Sequence, residues 1–78
     1  MSKLANIFSS VLGIDESKVT PELSPETAAT WDSLNAMILL SEIERAFAVR
    51  FDYTEAMNIK NFSDVCALVA AKGKDPYE

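Results

Sequence analysis

Few residues in this 78-residue sequence can do chemistry, and they narrow the field before any fold is considered. There is no His, so a Ser-His-Asp triad cannot be assembled. Cys66 is the sole thiol, which rules out an internal disulfide and, without His, a zinc site. Asp15, Glu16, Glu22 and Glu26 lie close together, but their stretch lacks the turn Gly and alternate oxygen ligands of a calcium loop. It reads as a solvated acidic loop. What remains is Asp32-Ser33-Leu34. Its ordinary reading is a helix N-cap, because Asp and Ser are preferred there. Its functional reading makes the Ser33 hydroxyl an attachment point. A hydroxyl at a helix start lies beside backbone N–H groups and the positive end of the dipole, where a phosphate ester is favoured.

The elements that must position this tripeptide are helical. Leu4, Ile7, Phe8, Val11 and Leu12 form one stripe at i, i+3, i+4, i+7, i+8 spacing, with Ser2 as cap and Gly13 as terminator. Residues 14–31 contain Pro21 and Pro25 and read as a long loop, pinned by Val19, Leu23 and Trp31, with one helical turn possible at Ser24-Pro25-Glu26. From Ser33 to Val49, Ala36, Leu39, Leu40, Ile43, Ala46 and Phe47 recur at helical spacing behind an Asp32 or Ser33 cap. Thr54 can start a short helix ending at Asn58. A last helix begins after Asn61, with Asp64 as its capping-box partner and Phe62, Val65, Cys66, Leu68 and Val69 as its stripe. Helices are thus predicted at about 3–12, 33–49, 54–58 and 62–72, with a frayed polar tail from Lys74. No strand-like alternation interrupts them. The expected fold is all-α: a bundle of three main helices and one short helix, in a single domain over residues 1–78.

Composition agrees. A chain that is 49% hydrophobic with a net charge of −5 folds, but phosphate backbones repel it, so nucleic acid is a poor partner. A basic protein surface is a better one. No stretch has the apolar length of a membrane span or signal peptide, so a cytoplasmic monomer is expected, and the lone Cys agrees with a reducing compartment. Cys66 itself reads as a small buried hydrophobe.

Taken together, Trp31-Asp32-Ser33-Leu34, the helix end Ile43-Glu44-Arg45-Ala46-Phe47, then Phe51, Ile59, Phe62 and Val65 resemble the acyl carrier protein family over roughly Leu4 to Ala71. Asp-Ser-Leu at the start of the second helix is that family's signature. The resemblance implies an acyl-carrier-like helical bundle that is not an enzyme. A separate phosphopantetheinyl transferase would attach 4′-phosphopantetheine from coenzyme A to Ser33. Asp32 would help the metal-bound coenzyme A engage, and Leu34 and Met37 would dock the transferase. The thiol of the arm would carry an acyl or aminoacyl group as a thioester, received from a loading ligase or transferase and delivered to biosynthetic enzymes.

Two departures shape the expected partner. Ala29-Thr30 stand where the family often has Leu-Gly, and Trp31 precedes the signature as in stand-alone carriers such as D-alanyl carriers. Ile38 takes the place of an acid on the second helix, leaving Glu42 and Glu44 beside Arg45. The expected partner surface is therefore Trp31, Met37, Ile38, Glu42 and Glu44, more apolar than in a housekeeping fatty-acid carrier. A rival reading is an acidic helical adaptor without a prosthetic group, in which Ser33 is only a cap.

Overall fold

The computed structural model describes residues 2–78; Met1, the first residue of the expected domain, lies outside them. Four helices run in the order α1 (Lys3–Leu12), α2 (Ser33–Phe47), α3 (Tyr53–Met57) and α4 (Phe62–Ala71), and no strand occurs among the described residues. The protein is the all-helical bundle that the hydrophobic spacing predicts.

Local chemistry sets each boundary. The Ser2 hydroxyl accepts from the Ala5 N–H at 3.0 Å, and Gly13, at φ 66°, closes α1 by donating to the Ser9 carbonyl. Asp32 is the cap of α2: its Oδ1 accepts from the Asn35 N–H at 2.8 Å. That helix stops two residues short of the predicted Val49. Ala48 turns left-handed at φ 55°, and the N–H groups of Ala48 and Val49 both fold back onto the Glu44 carbonyl. The short helix starts at Tyr53, not Thr54, because Asp52 and Glu55 cap each other's backbone N–H groups at 2.8 and 2.9 Å. Asn61 caps α4 as expected, while Asp64 accepts from the Lys60 N–H instead of completing a box. That helix ends at Ala71, with Lys72 outside it.

The core is one cluster centred on Phe8, which is fully buried in α1. Its ring meets Trp31 and Phe62 edge to face, with centroids 5.2 and 4.9 Å apart. Leu39, Ile43 and Phe47 enter from α2, and Val65, Cys66 and Val69 from α4. Leu68 and Leu40, placed on inward stripes by spacing, are only half-buried.

The loop before α2 is structured. It contains a 3-10 turn at Glu16–Lys18, which hydrophobic spacing does not signal, and a turn at Ser24 in which Thr27 and Ala28 donate to the Ser24 carbonyl. Leu23, Ala28 and Trp31 are buried. The Leu23 and Pro21 carbonyls accept from the Phe62 and Ser63 N–H groups at 2.8 and 3.1 Å. The loop thereby satisfies donors that the start of α4 cannot satisfy itself.

The tail is docked, not frayed. Pro76 is buried, and the Glu78 carbonyl accepts from the Lys3 N–H at 2.6 Å. The segment supplies a partner to one of the orphan donors of α1, which the polar composition of the tail does not reveal.

Candidate functional site

Ser33 is the first helical residue of α2 and is exposed. Because Asp32 does the capping, the Ser33 hydroxyl makes no hydrogen bond among the described residues. The turn around it is fixed from both sides. Asn35 donates its backbone N–H to Asp32 and its side-chain Nδ2–H to the Thr30 carbonyl at 2.7 Å, tying the helix start to the loop.

Beside Ser33 opens a cavity of about 440 Å³. Asp32 and Ser33 line its mouth, and Ala36, Leu39 and Ile43 of α2 line one wall. Ala56 and Ile59, in and after α3, line another, and Phe8, Trp31 and Val65 complete the apolar lining. Small side chains at Ala36 and Ala56 leave this space between α2 and α3. Both residues are plain in the sequence, but spacing marks a residue as inward-facing and does not show that its neighbour leaves room.

Two staples hold the cover of this cavity. The Glu44 carboxylate accepts from the Phe51 N–H at 2.8 Å, fixing the chain reversal before α3. Lys72 Nζ lies 2.9 and 3.0 Å from the Glu55 carboxylate oxygens, linking α3 to the residue after α4. Hydrogen bonding from the Asp52 N–H, and then from Lys72, holds the Glu55 carboxyl below its ordinary pKa. No side chain of α3 is fully buried, so these polar ties are prominent among its anchors.

The expected partner residues separate. Leu34 and Met37 are 67% and 68% exposed, and Ile38 is 41% exposed beside a groove shared with Ile7 and Val11 of α1. Tyr53 and Met57 of α3 are exposed as well, although no spacing in so short a helix singles them out. Trp31 is not on that surface. Its indole is buried against Phe8 because the loop needs an apolar anchor there. Glu42 pairs with Arg45, and Glu44 is half-buried on Phe51, so neither is an uncommitted acid. Burial pushes the Cys66 thiol pKa up, with a smaller opposing contribution from the Tyr77 hydroxyl, which fits a packing role.

A helical bundle with an unbonded, exposed serine opening its longest helix, next to an apolar cavity, has the features of a carrier for a covalently attached arm. Comparison with known proteins agrees. The family model described as phosphopantetheine attachment site matches residues 2–69. An acyl carrier protein of Rubrobacter xylanophilus is 39% identical over 59 residues, covering 76% of this chain and 73% of that protein. An acyl carrier protein of Thermotoga maritima is 32% identical over 71 residues, covering 91% and 88%. The chain belongs to the acyl carrier protein family. It is a carrier and not an enzyme, and its prosthetic group is 4′-phosphopantetheine. The α2 start fits that group. Ordinary helical bonding begins at the Ala36 N–H, so the Ser33 and Leu34 N–H groups would be available to a phosphodiester held at this helix start. No described helix is long and apolar enough to cross a membrane.

Proposed function

We propose that Ser33 takes the arm and that the chain carries an apolar acyl group, which rests in the cavity between visits to partner enzymes. The observation behind this reading is the exposed, unbonded Ser33 hydroxyl at the cavity mouth. In a transferase complex the Ser33 oxygen gives up its proton, forms a bond to the phosphorus that carries the pantetheine, and displaces adenosine 3′,5′-bisphosphate from coenzyme A. Asp32 uses one carboxylate oxygen on Asn35 and has the other available to the metal of the transferase complex. When bound, the arm supplies a terminal thiol that holds cargo as a thioester.

The cavity lining favours apolar acyl over aminoacyl or D-alanyl cargo. Asp32, at the mouth, is its sole charged side chain, so an ammonium group would find no counter-ion inside. Leu34, Met37 and Ile38 form the proposed docking face for the transferase and loading enzyme. Glu42 and Glu44 act there mainly as structural ties, and Trp31 acts from within.

Intact mass tests the assignment. Co-expression with a broad phosphopantetheinyl transferase should add one arm mass, and peptide fragmentation should place it on Ser33. An unchanged mass, or an arm on another residue, refutes the reading.

A further inference from the structure

Three hydrogen bonds close a ring around Ser33. The Asp32 N–H donates to the Thr30 carbonyl at 3.0 Å, the Asn35 N–H donates to Asp32 Oδ1 at 2.8 Å, and the Asn35 side chain returns to the Thr30 carbonyl through Nδ2 at 2.7 Å. The peptide unit that carries this carbonyl is anchored at its other end too, where the Trp31 N–H donates to the Ala28 carbonyl at 3.0 Å. Ser33 sits inside the ring, and its hydroxyl takes no part in it. The Asn35 side chain is the demanding member. A carbonyl only accepts, so the group that faces Thr30 must be a donor. An Asp of the same shape would keep the backbone bond to Asp32, lose the return bond and set oxygen against oxygen. Yet capping of α2 by Asp32 uses only the backbone N–H of Asn35, which any residue except Pro supplies. The amide is surplus to starting the helix, and what it adds is a fixed angle between the helix start and the loop.

We propose that Asn35 is a positioning residue for arm transfer: its amide holds Asp32 and Ser33 in the relative orientation that the transferase meets. The inference rests on the reading of Ser33 as the attachment site. With no bond of its own, the Ser33 oxygen is placed only by the backbone on either side of it. Asp32 before it and Asn35 after it are both tied to the Thr30 carbonyl, so the turn cannot pivot on the loop without breaking a bond. Displacement at phosphorus needs the Ser33 oxygen and the free Asp32 oxygen in place together. A misplacement of about 1 Å can cost on the order of 100-fold in rate. Loosening the ring therefore acts on the transfer step and not on the encounter with the transferase.

The experiment is single-turnover arm transfer with a broad phosphopantetheinyl transferase in excess and coenzyme A saturating. It separates the maximal rate from the half-saturating transferase concentration. Wild type, Asn35→Asp and Asn35→Ala are compared, with melting temperature and amide hydrogen exchange read on each. Both variants should lose about tenfold in maximal rate, with the half-saturating concentration within about twofold of wild type. Melting temperatures should stay within about 5 °C, since one hydrogen bond at an exposed turn contributes little. The Asp32 N–H should exchange faster in both variants. An unchanged maximal rate in both overturns the proposal. So does a loss confined to the half-saturating concentration, which would make Asn35 a docking contact. Loss of the fold in both variants would make the amide a structural group, and a wild-type Asp32 N–H that exchanges as fast as the Leu34 N–H would mean an open ring; either overturns it. A wild-type protein that gains no arm, or gains it on another residue, removes the Ser33 reading and the proposal with it, and intact mass with peptide fragmentation of wild type tells that failure from the others.

Discussion

Asp32 and Ser33 are adjacent, both are good helix caps, and the structure assigns capping to one and leaves the other unbonded. The two roles can be pulled apart by three substitutions. Asp32→Ala removes the 2.8 Å bond to the Asn35 N–H. Loss of such a cap costs about 1 kcal/mol, or about 4–8 °C of melting temperature in a domain this small. Asp32→Asn keeps an equivalent cap and should melt like wild type. Ser33→Ala removes a hydroxyl with no partner and places the best helix former at the first helical position, so stability should stay within about 0.5 kcal/mol of wild type. Modification then reads differently from stability. Ser33→Ala should gain no arm mass with the transferase, although it is fully folded. Asp32→Asn should gain it more slowly, reflecting the charge and not the cap. Thermal melts by circular dichroism and a time course of intact mass supply both axes. Should Ser33→Ala melt as low as Asp32→Ala, the hydroxyl is a structural group. Should it still gain the arm, Ser33 is the wrong serine.

The packing has other measurable consequences. Phe47, 5% exposed with Lys3 Nζ 4.6 Å above its ring, should cost about 3–5 kcal/mol when cut to Ala, and an unchanged urea or thermal transition would remove it from the core. Glu55 has a lowered pKa, so its contribution is present above its unfolded value and lost as pH falls through the folded one. The melting temperature should therefore drop as pH passes down through and below the ordinary glutamate range, and Glu55→Gln should flatten that slope; equal slopes would exclude the staple as its source. Ile38→Glu should weaken docking to an apolar loading enzyme by about 1–2 kcal/mol and speed encounter with a basic one, read as kcat/KM across a salt series. No change with either partner type would leave Ile38 a wall of the α1–α2 groove.

Much of the fold is legible in the sequence because helical periodicity is a local property. Leu4, Phe8 and Leu12 repeat every four residues and are buried, and Ser2 and Gly13 bound them where capping chemistry requires. Leu34 and Met37, singled out by the resemblance and not by the spacing, are exposed beside Ser33. The features that cannot be read this way depend on contacts between distant segments. Glu44 looks like a surface acid until the chain reverses and delivers the Phe51 N–H to it. Glu55 and Lys72 are 17 residues apart, and Lys3 meets Glu78 from the other end of the chain. Trp31 stands out as an important residue, but burial and docking make the same demand on composition, and only packing against Phe8 distinguishes them. The left-handed Ala48 is a further case. No Gly marks the end of α2, and the turn is held by the Glu44 carbonyl on one side and the Phe51 bond to the Glu44 carboxylate on the other.

The loop before α2 explains how one hydroxyl can be held in place without being bonded. Ordering a loop residue costs about 1–2 kcal/mol in backbone entropy, so a long ordered loop needs compensation. Here burial of Leu23, Ala28 and Trp31 offsets part of it, and the Pro21 and Leu23 carbonyls, which bond the first N–H groups of α4, offset more. The same contacts fix the direction in which Trp31 enters the core, and Asp32 and Ser33 come directly after it in the chain. Asn35 then locks the helix start to Thr30. The position of Ser33 is therefore set by the loop on one side and by α2 on the other, through neighbours that are each bonded or buried. Its own hydroxyl is spared from structural duty, which suits the proposed attachment point: a hydrogen bond donated by that O–H to the fold would be lost when its proton was replaced by phosphorus.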